Sequence, residues 1–236
     1  MKRISVLPAV VVFLVGCVSA LNAASTIYGM SGLIETPDDT IVPAKSLTLA
    51  ANRLFDVNGT DMWTYGGALG LIPNLEISAV GITPDADGWD TEVLVNAKYR
   101  LLSESVDKPS ITVGVVDIAS RMDDFTGGAI DDPSMFIVVG KNITDIAEDM
   151  SGQVSKPVKA TLGFGTGLYN GLFAGLDFSL SPKFSVAVEY LTKGIRAEST
   201  FSGCVRFQPT QALSISAGAI GFQDLYVGAS FNLSTF

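Results

Sequence analysis

An all-β fold, specifically a transmembrane antiparallel β-barrel of about twelve strands with ten and fourteen as the bounds, follows from three features of this chain. Apolar and polar residues alternate with a period of two from Ser46 almost to Phe236. Hydrophobic residues fill 47% of the 236 positions and charged residues only 17%, more apolar side chain than one soluble domain of this size can hide. The one apolar run approaching the length of a membrane helix lies at the N-terminus.

That run, Ile4 to Val18 behind Lys2 and Arg3, reads as a secretory signal within residues 1–24. Two cleavage readings compete. Leu14-Val15-Gly16-Cys17 has the form of a bacterial lipobox, which would make Cys17 an acylated first residue. Val18-Ser19-Ala20 and Leu21-Asn22-Ala23 suit ordinary signal peptidase, and a barrel needs no lipid anchor. With Cys17 removed, Cys204 is the remaining thiol, so no intramolecular disulfide can form despite export.

Residues 25–45 are punctuated by Gly29, Gly32, Pro37 and Pro43 and predict a short plug or lead-in strand. The barrel then occupies 46–236. Strands are expected near 46–55, 62–72, 75–83, 91–102, 110–119, 134–142, 157–168, 172–181, 184–193, 198–208, 213–221 and 225–235. Their mean length is close to the roughly 9–11 residues that a tilted strand needs to cross a bilayer. In the seventh, Val158, Ala160, Leu162 and Phe164 alternate with Lys159, Thr161, Gly163 and Gly165. The eighth sets Leu172, Ala174, Leu176, Phe178 and Leu180 against Phe173, Gly175, Asp177 and Ser179. The ninth sets Phe184, Val186, Val188 and Tyr190 against Ser185, Ala187 and Glu189. In the last, Leu225, Val227, Ala229, Phe231 and Leu233 take the lipid phase, and the chain ends on the aromatic Phe236 that barrel-insertion machinery commonly recognises, out of phase with Phe231.

The connections alternate in length as bacterial barrels require. Pro73-Asn74, Ser181-Pro182 and Pro209-Thr210-Gln211 are tight turns after even-numbered strands. Val57-Asn58-Gly59-Thr60, Pro84 to Asp90 and Ser120 to Pro133 follow odd-numbered ones. The alternation puts both termini in the periplasm of a bacterial outer-membrane protein. Lys141 to Lys156 breaks it, with a helical turn expected over Ile143 to Met150. Because an open sheet edge cannot face lipid, the last strand must pair with the first.

The net charge of −9 resides largely in connections such as Pro84-Asp85-Ala86-Asp87, Asp123-Asp124 and Asp131-Asp132, which argues against a nucleic-acid partner. Solvated loop charges are the reading preferred over a cation site. On the strand phases, the inward residues include Thr48, Asn52, Glu76, Ser78, Glu92, Asn96, Lys98, Arg100, Thr112, Lys159, Asp177, Glu189, Arg206 and Ser214. Both signs of charge are present, which suits either a narrow polar channel or a lumen closed by ion pairs.

No histidine occurs in the chain, which removes Ser-His-Asp chemistry and the usual zinc sites. Asp177 and Glu189 could form a glycosidase-like carboxylate pair, but lumen charges paired with Lys159 or Arg206 are the preferred meaning. The expectation is therefore a protein that is not an enzyme and takes no cofactor or metal. Cys204 beside Arg206 reads as an apolar filler. Trp63, Tyr65, Tyr99, Tyr169 and Tyr190 read as interface-belt aromatics, with Tyr169 and Trp89 as the places for a sugar to stack.

At Gly29-Met30-Ser31-Gly32-Leu33-Ile34-Glu35-Thr36-Pro37, at Gly171-Leu172-Phe173-Ala174-Gly175-Leu176-Asp177 and at Ala187-Val188-Glu189-Tyr190, the chain resembles the YjbH-like outer-membrane proteins. The resemblance implies a porin-like or lipoprotein barrel associated with exopolysaccharide production and export, with polysaccharide or export proteins as partners. Longer members look like more than one barrel, so this chain corresponds to a single module. It departs from the pattern at Asp38-Asp39, where small or hydroxyl residues are usual. Two further readings stay open: a non-conducting barrel whose acidic loops around Asp85, Asp123 and Asp131 meet partners, and a soluble exported barrel holding an apolar ligand inside.

Overall fold

The structure, a computed structural model, describes residues 24–57, 59–86, 90–122, 133–144, 156–193 and 199–234. Expectations on Cys17, Trp89, Phe236, the acidic pairs at 123–124 and 131–132, and the helical turn beyond Thr144 lie outside them.

The alternating segments become twelve strands: β1 Ser46–Val57, β2 Thr60–Ile72, β3 Leu75–Pro84, β4 Glu92–Leu102, β5 Ser110–Val116, β6 Ser134–Asn142, β7 Val158–Gly165, β8 Gly171–Ser181, β9 Phe184–Leu191, β10 Thr200–Phe207, β11 Leu213–Ile220 and β12 Asp224–Ser234. Each pairs antiparallel with its neighbours in sequence, and β1 pairs with β12 from Ser46↔Ser234 to Leu54↔Tyr226, which closes the barrel. Closure leaves no backbone edge unpaired. Among the described residues, no helix is long and apolar enough to cross a membrane.

Two strands stop three residues earlier than the alternation predicts. β5 ends at Val116 because Asp117 turns left-handed, at φ 57°, and its N–H donates to Asn96 Oδ1 at 2.9 Å. β7 ends at Gly165, and a 3-10 turn over Gly167–Tyr169 replaces its expected last residues. Gly167 lies at φ 59° with Ser134 Oγ 2.4 Å from where a Cβ would stand, so neither the angle nor the space admits a side chain. At the β1–β2 turn the ladder runs on to Val57↔Thr60, a tighter connection than the four-residue loop expected.

The period of two sorts the side chains. Leu49, Trp63, Tyr65, Val93, Leu101, Met135, Leu162, Phe164, Leu172, Val205, Leu225 and Val227 point outward and are exposed. An apolar wall of this extent needs lipid to cover it. The inner phase has two storeys. Near the rim opposite the chain termini, Leu54, Met62, Val80, Ile82, Leu94, Val116, Phe136, Val138, Phe173, Leu191 and Ile220 form a continuous apolar cluster with Ile27, Tyr28, Met30, Leu33 and Ile34. Near the terminal rim the inner positions are polar or charged. Residues 24–44 therefore lie inside the barrel, apolar toward one storey and polar toward the other.

Candidate functional site: the filled lumen

The inner segment has little regular structure. Isolated bridges Ser25↔Ser31 and Gly32↔Pro37 fold it into tight loops, which leaves many backbone N–H and C=O groups without ladder partners. The wall supplies those partners, and the charged inner residues of the strands do most of it.

Glu76 of β3 accepts from Ser31 N at 2.8 Å, Ser31 Oγ at 2.5 Å and Val42 N at 2.9 Å. Lys98 of β4 donates to Ser31 O and Ser31 Oγ, both at 2.6 Å, and to Asp38 O at 3.2 Å. Its side chain has no exposed surface, so these contacts, with Asp38 Oδ1 at 3.9 Å, are what make its burial tolerable. Arg100, two residues on, donates to Asp39 O at 2.8 Å. Glu92 starts the same strand opposite Ile82, roughly 26 Å from Arg100 along the chain, and stands apart from this group.

Glu189 of β9 sits in a cradle of consecutive amides. Ile34 N, Glu35 N and Thr36 N donate to its carboxylate at 3.1, 2.9 and 3.2 Å, and Thr36 Oγ1 adds a bond of 2.7 Å. Successive N–H groups converging on one carboxylate make a fixed anion site. Here the barrel's own carboxylate fills it.

Asp38 and Asp39 meet a cation from another strand. Lys159 of β7 lies 2.7 Å from Asp39 Oδ1 and 3.8 Å from Asp38 Oδ2, while Asp39 also accepts from Ser110 Oγ. Burial alone would push the Asp38 carboxyl up; the ammonium groups of Lys159 and Lys98 and the bonds from Thr40 outweigh it and hold the group below the ordinary aspartate range. Asp39 packs on bare backbone, since a Cβ at Gly140 would lie 2.0 Å from Asp39 Oδ1. Arg206 of β10 pairs with Asp177 of β8 at 2.5 Å and donates to Leu33 O at 2.5 Å.

The wall residues named from strand phase thus meet in two groups. Glu76, Lys98 and Arg100 hold the stretch from Ser31 to Asp39, and Lys159, Asp177, Glu189 and Arg206 hold it from the other side. Reasoning from strands missed the partners they meet, above all Ser31, Thr36, Asp38 and Asp39. Asp177 and Glu189 are not directly opposed: Asp177 faces Ala187 and Glu189 faces Gly175 across the β8–β9 ladder. Each is already committed to donors, Asp177 to Arg206 and Glu189 to the amides of Ile34, Glu35 and Thr36.

Tyr169 corrects the aromatic reading. It is neither in the belt nor open to a sugar, being fully buried with its ring edge-on to Phe136 at 5.7 Å and its hydroxyl donating to Glu35 O at 3.2 Å. The 3-10 turn that shortened β7 is what swings it inward. Trp63, Tyr65 and Tyr99 do face outward, and the Arg53 guanidinium lies over the Trp63 ring at 5.1 Å while pairing with Asp61 and Asp85 at 2.7 and 2.9 Å.

No protein-family model matches the chain, and no curated protein matches it in sequence. Among solved structures, a KdgM porin is similar at a TM-score of 0.53 and 10% identity, over 80% of this chain and 99% of the porin. A structure described as KdgM porin in complex with disordered oligogalacturonate is similar at a TM-score of 0.50 and 12% identity, over 81% of this chain and 99% of that one. The shared feature is the fold, the closed antiparallel barrel.

Proposed function

We propose that this chain is a porin-like barrel of the bacterial outer membrane, with periplasmic termini, closed at rest by its own residues 24–44 and opened for polar solutes when that segment moves. The observation that carries the reading is the way the segment is held. Its polar storey is fixed by ion pairs and amide contacts that water or a polar solute can replace, inside a wall whose outer face is apolar. A saccharide cargo is supported by two things: a porin of the same fold described in complex with disordered oligogalacturonate, and the exopolysaccharide export that the YjbH-like resemblance implies. Outer-membrane lipid is the surrounding partner, the barrel-insertion machinery is the assembly partner, and export proteins would meet the periplasmic rim. The reading is non-enzymatic.

Planar-bilayer recording of the refolded full chain tests it. The native protein should be silent, and the double variant D39N/E189Q should conduct while its folded band still shifts on boiling. Silence of both proteins with intact barrels would establish instead a closed scaffold, the second reading, which the filled lumen favours on its own. The soluble alternative requires the Leu, Val and Phe face to point inward, and the structure turns it outward.

A further inference from the structure

A cavity of about 850 Å³ opens at the terminal rim and ends against the inner segment. Asp38, Thr40, Lys159, Asp177 and Arg206 line it, so the groups that hold the segment also face the open space. The volume falls in the range that takes a small organic ligand.

The exposure of the lock is one-sided. The Lys159 side chain is 29% exposed, whereas Asp39, its nearest partner, is 4% exposed. Lys159 lines the cavity, so a carboxylate arriving through it meets this side chain before the buried aspartate. The exchange replaces one carboxylate by another on the same cation, so no buried cation is left uncompensated during it. What is left behind is the aspartate pair with fewer counter-charges, Asp38 on Lys98 and Asp39 on Ser110, which favours movement of the segment toward water. Asn142, Ser185 and Gln208 add neutral donors and acceptors to the same wall, suited to hydroxyl groups.

We infer that this cavity binds a carboxylate-bearing, hydroxyl-rich solute at Lys159 and that its occupancy loosens residues 24–44. The inference rests on the gated-barrel reading and gives its gate a trigger.

Cys204 supplies a native reporter, because it is 4% exposed within the apolar cluster that the inner segment completes. The full-length protein is folded in detergent and treated with a water-soluble charged maleimide, and labelling of the Cys204 peptide is followed by mass spectrometry. Glucuronate should raise the labelling rate severalfold; glucose at the same concentration and sodium chloride at matched ionic strength should not. K159R should keep the response. K159Q should lose it, and should also lose the saturation-transfer NMR signal of glucuronate on the protein. Equal rates in glucuronate and sodium chloride, or a glucuronate signal that survives in K159Q, would overturn the inference. Those results leave the bilayer recordings untouched, whereas silence of every unlocked variant would remove the pathway even if glucuronate binds.

Discussion

Arg206 of β10 reaches past the whole of β9 to close its ion pair with Asp177 of β8. It can do so because the inner residues between them are small: Asp177 faces Ala187, Ala187 faces Cys204, and Arg206 itself faces Ser185. Ala187 is fully buried under this bridge. Ala187→Leu should therefore destabilise the barrel by about 1–3 kcal/mol from overpacking alone, and by more if the pair is forced apart. The urea midpoint of the detergent-folded protein measures it, with Ala187→Ser as the tolerated control. Equal midpoints for the native protein and the leucine variant would mean that the bridge does not pass over this position.

The Glu189 cradle makes a sharper demand on chemistry than on volume. Two carboxylate oxygens accept four donors, and a glutamine amide would turn an NH₂ group toward some of them. Leaving such donors unsatisfied costs roughly 2–3 kcal/mol, which corresponds to about 30- to 150-fold in a local opening equilibrium. Glu189→Gln should accelerate hydrogen exchange at the Ile34 and Thr36 amides by about that factor, while the strand amides of β1 and β12 stay protected. Uniform acceleration throughout would show that the segment and the barrel open as one unit.

The strands were legible because one side of the wall had to be apolar, and a period of two is unmistakable over ten residues, as in Leu172 to Leu180. That phase also fixes which way Lys98, Lys159 or Arg206 points. It says nothing about what they meet. The segment from Ser25 to Ala44 has no period, because its backbone bonds with side chains on several strands instead of one neighbour. Ser31 and Glu76, or Thr36 and Glu189, are brought together by closure of the barrel and share no local pattern. Tyr169 was misplaced for a related reason: its direction is set by the left-handed Gly167, a backbone property that the residue types around it do not display.

Acid should weaken the hold on the inner segment through Asp38. Its folded-state value is depressed, so its stabilising contribution is complete above the unfolded aspartate value of about 3.9 and is lost as the pH falls through the lower folded value. Pepsin cleavage within residues 24–44, taken relative to cleavage of an unfolded peptide at the same pH, should therefore be slow near pH 5, rise at still lower pH, and lose this acid-dependent rise in D38N. The same pH profile in D38N and the native protein would remove Asp38 as its source.

Gly140 offers a way to unlock the segment without altering a single charge. Its missing Cβ is the space that the Asp39 carboxylate occupies, and the methyl group of an alanine would stand 2.0 Å from Asp39 Oδ1. Gly140 pairs with Ser110 and Thr161 in the ladders on either side, and alanine suits an extended backbone there. The strand can keep its register, so the aspartate is the group that must leave, taking with it the pair to Lys159 and the bond from Ser110. Gly140→Ala should thus leave the heat-dependent gel shift of the barrel intact while raising both Cys204 labelling and bilayer conductance above the native protein. If labelling stays at the native rate in a barrel that still folds, then Asp39 is not what holds residues 24–44 in the lumen, and the lock must lie at Glu189 and Glu76 instead.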